Sequence, residues 1–354
     1  MNTFRKGALG LAGIALTVAP ASAAPRYDTV NMTVDEEPIV MALAHSLGCL
    51  DRERIKLNVI DILKLMPNDY QMQVPLADGR VDVAYHWFNH AVFGARHKLP
   101  VIGVMNFNDS PGMTVLVAKA KAGEIKGPAD FKGRNIASGA LYGTKSLLTY
   151  SIAAKAGLRL SDYGHAAVEE EGREQAIKAG LADSSIDLVT SEEPYTARYK
   201  ATGLVQPLYL MTDRASTAKT LGAEWPAQSL LMAPKFIATR PQVAQRVVNA
   251  FVCTMRFINS HDLKQIVAKL PASYFAGKNR AEELANLANE LPTFARGNYR
   301  IDPQGAALVA KTIPGFDFGK DEEGVWRNAG GAPVGDPRKL YDNRFVDAAM
   351  KRIR

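Results

Sequence analysis

Between Val74 and Phe107 the chain reads VPLADGRVDVAYHWFNHAVFGARHKLPVIGVMNF, with apolar and polar positions grouped in short blocks. The blocks predict a short helix, a turn, a buried strand, a loop opening a helix, and a second buried strand. Ala77, Asp78, Gly79 and Arg80 supply the turn, because Asp and Gly accept a bend that Val or Ile resists. Val81, Val83 and Ala84 follow as a run too short for a helix and β-branched enough for a strand. Tyr85 to His90, YHWFNH, then fall where that strand is expected to end.

The same grammar extends both ways. Upstream, Thr29–Val34 predicts a strand, Ile39–Leu47 a helix stopped by Gly48, and Ile55–Ile62 a second strand. Leu63–Asp69 reads as a loop, Tyr70–Leu76 as a short helix and Val101–Met105 as a strand, which completes βαβαβαβ. Alternation of this kind implies a mostly parallel sheet covered on both faces. After the break at Asn108–Gly112 come predicted strands at Met113–Ala118, Arg134–Ala137, His165–Val168, Ile186–Thr190 and Val205–Met211. Helices are predicted between them at Leu147–Ala156 and Glu174–Leu181. GLADSSIDLVTSEEPY echoes PLADGRVDVAYHWFNH, so the two segments read as equivalent positions in two similarly built domains. The remainder has one strand, Ser229–Met232, and then a long helix from Pro241 to about Ser260. Further helices are expected at Lys264–Leu270, Arg280–Leu291, Gln304–Lys311 and Leu340–Ile353, with Gly315–Pro337 a surface loop.

Length agrees with two domains, since 354 residues exceed what one hydrophobic core usually serves. The formal charge of +7 is scattered rather than blocked, which argues against nucleic acid as a partner and accommodates an anionic ligand. Arg5 and Lys6 precede an apolar run from Ala8 to Val18, then Pro20 and Ala21-Ser22-Ala23. This is the pattern of a secretory signal peptide over residues 1–24, with cleavage near Ala23 or Ala24. The expected mature protein, from Pro25, is soluble and exported; it keeps 41 basic against 36 acidic residues. Cys49 and Cys253 either pair in an oxidising compartment or lie buried as free thiols.

Three places carry candidate chemistry. Asp35, Glu36 and Glu37 precede Pro38 at a helix start, where they favour the helix dipole or meet a ligand amine or hydroxyl. The YHWFNH cluster sits at the carboxyl end of a strand, the ligand position of open α/β sheets, with Trp87, Asn89 and His90 in reach. The stretch Ser138 to Ser146 leads a strand through Gly139 and Gly143 into a helix N-terminus. Its free N–H groups, the hydroxyls of Ser138, Thr144 and Ser146, and Lys145 suit an anion, although an ordinary N-cap explains Thr144 or Ser146 as well. No P-loop pattern is present. By the internal echo, Glu192, Glu193 and Tyr195 face the same cleft as Trp87 to His90.

With these segments in view, the chain resembles the nitrate/sulfonate/taurine type of ABC-transporter solute-binding protein, a group that also includes thiamine-precursor binders. VNMTVDEEPIVMALAHSLG, LADGRVDVAYHWFNHAVFGARHKLPVIGV, DFKGRNIASGALYGTKSLLTYSIAAKAGL, IDLVTSEEPYTARY and FIATRPQVAQRVVNAFVCTMRFIN carry the likeness. It covers residues 28 to 262 well and the C-terminal helices loosely. It implies an α/β protein of the type II periplasmic-binding fold: two α/β lobes with a ligand cleft between them, joined by two crossover strands. Lobe 1 would comprise residues 25–107 and 212–354, and lobe 2 residues 108–211. A monomeric periplasmic receptor would rock about Asn106–Asp109 and Met211–Asp213, close on a small-molecule solute, and deliver it to the membrane permease and ATPase of an ABC importer. No cofactor is implied. By position, the family's ligand loops fall on Asp35, Glu36, Glu37, Trp87, Asn89, His90, Asn106, Phe107, Ser138, Tyr142, Gly143, Thr144, Glu192, Glu193 and Tyr195. Simpler members carry small residues where this chain has YHWFNH. The difference favours a larger organic anion or zwitterion, of sulfonate, carboxylate or aromatic-acid type, over nitrate.

Rival readings have less behind them. His86 and His90, four apart, would share a helix face, yet no third metal ligand sits at a telling spacing, so no metal site is expected. No G-x-S-x-G elbow occurs, and adjacent Glu192 and Glu193 would face opposite sides of a strand. The enzymatic rival is a thiamine-pyrimidine synthase on the same fold. Its Cys-rich motif is missing here, and the signal peptide opposes its cytosolic setting. The chain is expected not to be an enzyme. A receptor feeding a sensor protein instead of a permease would use identical binding physics.

Overall fold

The computed structural model describes residues 26–34, 38–66, 72–140, 143–166, 170, 172–316 and 332–352. The β-branched runs become strands: β1 (Asp28–Val34), β2 (Ile55–Asp61), β3 (Val83–Trp87), β4 (Ile102–Asn106), β5 (Met113–Ala118), β6 (Asn135–Ala137), β7 (Gly164–Ala166), β8 (Leu188–Glu192), β9 (Val205–Met211) and β10 (Gln228–Met232). They sort into two five-stranded sheets, β2-β1-β3-β10-β4 and β7-β6-β8-β5-β9. In the first, β1 runs parallel to β2 and β3, while β10 runs antiparallel to both β3 and β4. In the second, β6 runs parallel to β7 and β8, while β5 runs antiparallel to both β8 and β9. The two sheets therefore share one topology, each with a single reversed strand next to the edge. That reversal departs from the mostly parallel pairing expected, because β10 and β5 are each supplied across the crossover from the other half of the chain.

β3 and β8 both begin and end two to three residues later than their apolar runs predict. The cause is a pair of matching corners. Val81 and Ile186 donate their N–H back to the preceding helix, at Pro75 O (3.1 Å) and Gly180 O (2.9 Å), so neither starts a ladder. Asp82 and Asp187 come next, and their carboxylates accept from the backbone N–H of Asn31 and Asn135, each at 2.9 Å. Their own N–H groups donate back to Asn31 O and Asn135 O, again at 2.9 Å. The ladders start only after these aspartates and run through Trp87 and Glu192.

Helices cover the sheets. In the twenty-residue helix Pro241–Ser260, Val243, Val247, Phe251, Met255 and Ile258 recur at three- and four-residue spacing and are buried. That stripe packs against the helices Ile39–Ser46, Cys49–Arg52 and Arg344–Arg352. Gly48, at φ +64°, breaks the chain between the first two of these, in a conformation that favours glycine. The open question about the cysteines is answered by a Cys49–Cys253 disulfide, with Cα atoms 6.0 Å apart, which ties Cys49–Arg52 to the long helix. Buried side chains form one large core that runs from the first sheet onto one face of the second. A smaller cluster, including Ile177, Leu181, Val189 and Tyr199, fills the other face.

The chain crosses from β4 to β5 through Phe107–Gly112 and returns after β9. Ser110 ties the two passages together: its hydroxyl donates to Met211 O (2.7 Å) and accepts from Thr217 Oγ1 (2.9 Å). Among the described residues, no helix is long and apolar enough to cross a membrane.

Candidate functional site

Trp87 ends β3 and Glu192 ends β8, and both line one cavity of about 230 Å³. Glu193 lies beside Glu192 on that wall. The crossover contributes Asn108, Ser110, Pro111 and Gly112, and the start of β10 contributes Gln228. The fourth wall is Asn286, Asn289 and Glu290 of the helix Arg280–Glu290, with Thr293 just beyond it. Both sheets, the crossover and a C-terminal helix thus meet at one space, and no Lys, Arg or His is among its described lining residues.

The lining is rich in hydrogen-bond acceptors. Thr293 Oγ1 gives its proton to Glu290 O (2.7 Å), so it must accept from Asn108 Nδ2 (2.7 Å). That chain fixes the Asn108 amide and leaves Oδ1 a buried acceptor without a hydrogen-bond partner, on a residue that lines the cavity. Gln228 Oε1 is likewise buried and unpartnered. Unmade hydrogen bonds at buried polar atoms cost about 1–3 kcal/mol each and are uncommon without a functional reason. Burial pushes the Glu290 carboxyl up to about 7, with the nearby Glu283 carboxylate adding to the rise and Lys278 opposing it. Glu193 Oε2 accepts from Ala197 N (3.0 Å), in the first turn of the helix Tyr195–Ala201.

Beneath the β8 end lies a buried ionic cluster. Lys145 Nζ stands 2.7 Å from Glu170 Oε2 and 2.8 Å from Glu192 Oε1. Burial alone would lower the Lys145 pKa, but the Glu192 and Glu170 carboxylates outweigh it and the net shift is upward, so the ammonium stays charged. Burial raises the Glu170 carboxyl, against the pull of Lys145. One ammonium thus faces two carboxylates, and the positive charge expected to greet an anion is already committed.

Of the residues singled out in the sequence, Trp87, Glu192 and Glu193 come together on the cavity. Others are displaced by burial. Tyr85 and His86, expected at the strand end, are interior positions of β3 and buried. Asn89 and His90 start the helix Asn89–Arg96 at 3 % exposure, with His90 Nδ1 2.9 Å from Gln73 Oε1 and its ring 4.2 Å from that of His86. Burial holds the His90 imidazole well below its usual pKa, with His86 adding to the effect. Phe107 is core, packed 4.9 Å from Tyr85 and 5.4 Å from Phe251. Asn106 Oδ1 accepts from Ser229 Oγ (3.2 Å), and the residue lines a second cavity of about 110 Å³ with Asp109 and Arg214. Burial, reinforced by Glu224, pushes the Asp109 carboxyl up to about 7.

After β6 the Ser138 and Ser146 hydroxyls are turned inward. Ser146 Oγ lies 2.8 Å from Ser138 O and 2.7 Å from Ala140 O, while Ser138 Oγ lies 3.3 Å from Ser146 Oγ. Gly143 is extended at the cap position and Thr144 opens the helix Thr144–Ala153. Tyr195 packs against the smaller core, with the Arg198 guanidinium 5.4 Å from its ring. Asp35, Glu36, Glu37 and Tyr142 lie outside the described residues, as does the expected signal peptide. The sequence reading missed Asn108, Gln228, Asn286, Asn289, Glu290 and Thr293. The break at Asn108 and the helix from Arg280 were both visible, but nothing local says that they converge.

Comparison with known proteins places this geometry in context. The family described as NMT1/THI5 like matches residues 45–261. No curated protein matches the chain in sequence. A solved protein of Bordetella bronchiseptica RB50 is 22 % identical, covers 92 % of this chain and 97 % of its own, and superposes with a TM-score of 0.70. The periplasmic aliphatic sulphonate binding protein SsuA of Escherichia coli is 19 % identical over 82 % of this chain and 86 % of its own, with a TM-score of 0.61. The desulfurization enzyme DSZB, solved with biphenyl-2-sulfinic acid, is 15 % identical over 92 % and 99 %, with a TM-score of 0.58. The fold is the two-lobed α/β architecture of type II periplasmic binding proteins.

Proposed function

The chain belongs to the NMT1/THI5-like family, and from that premise we propose that it is an exported solute-binding receptor of an ABC importer. It captures a small organic solute between its lobes and presents it to a permease and its ATPase. Lobe 1 is residues 25–107 and 212–354, lobe 2 is residues 108–211, and residues 1–24 are the signal peptide.

The observation that carries this reading is where the cavity sits. Its walls belong to both sheets, to the crossover and to the helix Arg280–Glu290. A solute filling it gains contacts with both lobes only while they are together, so binding energy shifts the population toward closure. Trp87 supplies the apolar wall, and amides and carboxylates supply directional contacts, the usual composition of a small-molecule site. No bond is made or broken. Both cysteines are held in the disulfide, and neither borders the cavity.

A thermal-shift and calorimetric screen of residues 25–354 tests the reading, using amines, amino acids, carboxylates and sulfonates. A native-state ligand raises the melting temperature by mass action, and at a fixed ligand concentration the gain should shrink with Trp87→Ala. A folded protein that ignores the whole set would overturn it.

A further inference from the structure

Resting on that cleft reading, we infer that the solute carries an N–H-bearing cation, a protonated amine or amidine, seated between the Trp87 indole and the Glu192, Glu193 and Glu290 side chains. Three independent features converge on it. The first is charge: the cavity lining holds three acidic side chains and no basic one among the described residues. The ammonium beside Glu192, that of Lys145, is bound on both sides by Glu170 and Glu192. An anionic head entering here meets carboxylates and finds no free positive side chain on the lining, whereas a cation restores the balance.

The second is the polarity of the unmade hydrogen bonds. Asn108 is 4 % exposed, its backbone N–H and carbonyl are spent on Gln228 O and from Ala227 N, and its side-chain N–H₂ is held by Thr293. The side-chain oxygen Oδ1 has no partner, and it is an acceptor. Gln228 Oε1, on the neighbouring strand, is a second buried acceptor with no donor. Both atoms lie behind the lining that their own residues form, so a turn of either side chain would meet an N–H, which a quaternary ammonium lacks and a primary amine or amidine provides. The third is Trp87, half-buried on the same wall and an aromatic face of the kind that attracts cations. Glu193 and Glu290 flank the same space from opposite lobes, so a cation between them also holds the lobes together.

Ligand-observed NMR and melting curves at millimolar concentration, on the full mature protein, test this with compounds of matched ring size. Benzylamine and benzamidine represent N–H cations, benzyltrimethylammonium a cation without N–H, and benzoate and benzenesulfonate anions. Benzylamine and benzamidine should bind, the quaternary ion at least tenfold more weakly, and the two anions not at all. Glu290→Gln should weaken benzylamine at least tenfold, since it removes charge and keeps shape. The wild-type series alone decides the matter should that variant fold poorly. Binding of the anions in preference to the amines would overturn the cation inference and leave the receptor reading standing. Equal binding of benzylamine and its quaternary analogue would overturn the part played by Asn108 and Gln228. Silence from every compound, with the protein folded, would overturn the cation and the cleft reading together.

Discussion

β3 and β8 hold the same place in the same sheet order, and each is entered through an aspartate that pins the first parallel strand by its backbone N–H. They end differently. Beyond β3, Phe88, Asn89 and His90 turn straight into the large core, and Trp87 alone reaches the cavity. Beyond β8, Glu192 and Glu193 both stay at the cavity over a buried lysine. The surrounding mass explains the contrast. The first sheet carries the long helix Pro241–Ser260 and its neighbours, which leave no room for exposed polar groups behind the strand end. The second is backed on one face by a smaller cluster, and the charge at its strand end is held by the Lys145 pairs with Glu170 and Glu192. One backbone frame therefore supplies an aromatic wall from one lobe and an acidic wall from the other.

The largest test of that asymmetry is the disulfide, which staples elements of the heavier half only. It closes a loop with a sequence separation of 204, worth about 5 kcal/mol in the chain-entropy limit. Cys49→Ser with Cys253→Ser should lower the unfolding free energy by several kcal/mol in urea. A loss below about 1 kcal/mol would mean that the two halves are not stapled differently.

The shared corners predict smaller and matched effects. Asp82→Ala and Asp187→Ala should each cost about 1–3 kcal/mol, because each leaves a backbone N–H without its carboxylate. Unequal losses, beyond what the 3.9 Å approach of Arg240 to Asp82 adds, would break the equivalence. Next comes the contrast in the cavity itself. Trp87→Ala should weaken any cleft ligand by several-fold or more and leave the fold intact; calorimetry on a hit from the solute screen reads both.

The smallest effect concerns pH. Glu290 and Asp109 are both pushed up to about 7 by burial, above their unfolded values near 4, so the folded state keeps protons that the unfolded state releases. Their stabilisation is full below about pH 4 and is lost as pH rises through 7. His90 works in the opposite sense: its depressed pKa means that stability is lost as pH falls below its unfolded value of about 6.5. Between about pH 6.5 and 8 the two acids dominate, and the urea midpoint should fall as pH rises. Glu290→Gln and Asp109→Asn should each flatten that slope. A slope unchanged in Glu290→Gln would show its carboxyl to be ionised throughout, despite Glu283 beside it.

Much of this was legible in the chain. The strands Asp28–Val34, Met113–Ala118 and Val205–Met211 and the helix Pro241–Ser260 follow their apolar runs closely; Met113–Ala118 is buried throughout and the helix buries one stripe. The echo between LADGRVDVA and LADSSIDLV led to two matched corners. Trp87, Glu192 and Glu193 were visible as residues closing equivalent strands. Periodicity also says that Phe107, His90 and Ser138 stand near strand ends, but not which way they face. That was settled by Tyr85 and Phe251 around the first, by Gln73 and His86 around the second, and by Ser146 beside the third.

The sequence by itself determined the strands, most of the longer helices, the doubling of the architecture and the family, all of which are written in runs of neighbouring residues; the helices Tyr195–Ala201 and Arg214–Leu221 were not among them. Tertiary structure decided the pairing of Cys49 with Cys253 and the insertion of β10 beside β3. It also decided the meeting of Asn108 with Thr293 and the arrival of Glu290 opposite Glu192. Each of these joins residues that no local pattern links. Their charges and unspent hydrogen-bonding atoms acquire meaning only once the two lobes are folded around one shared space.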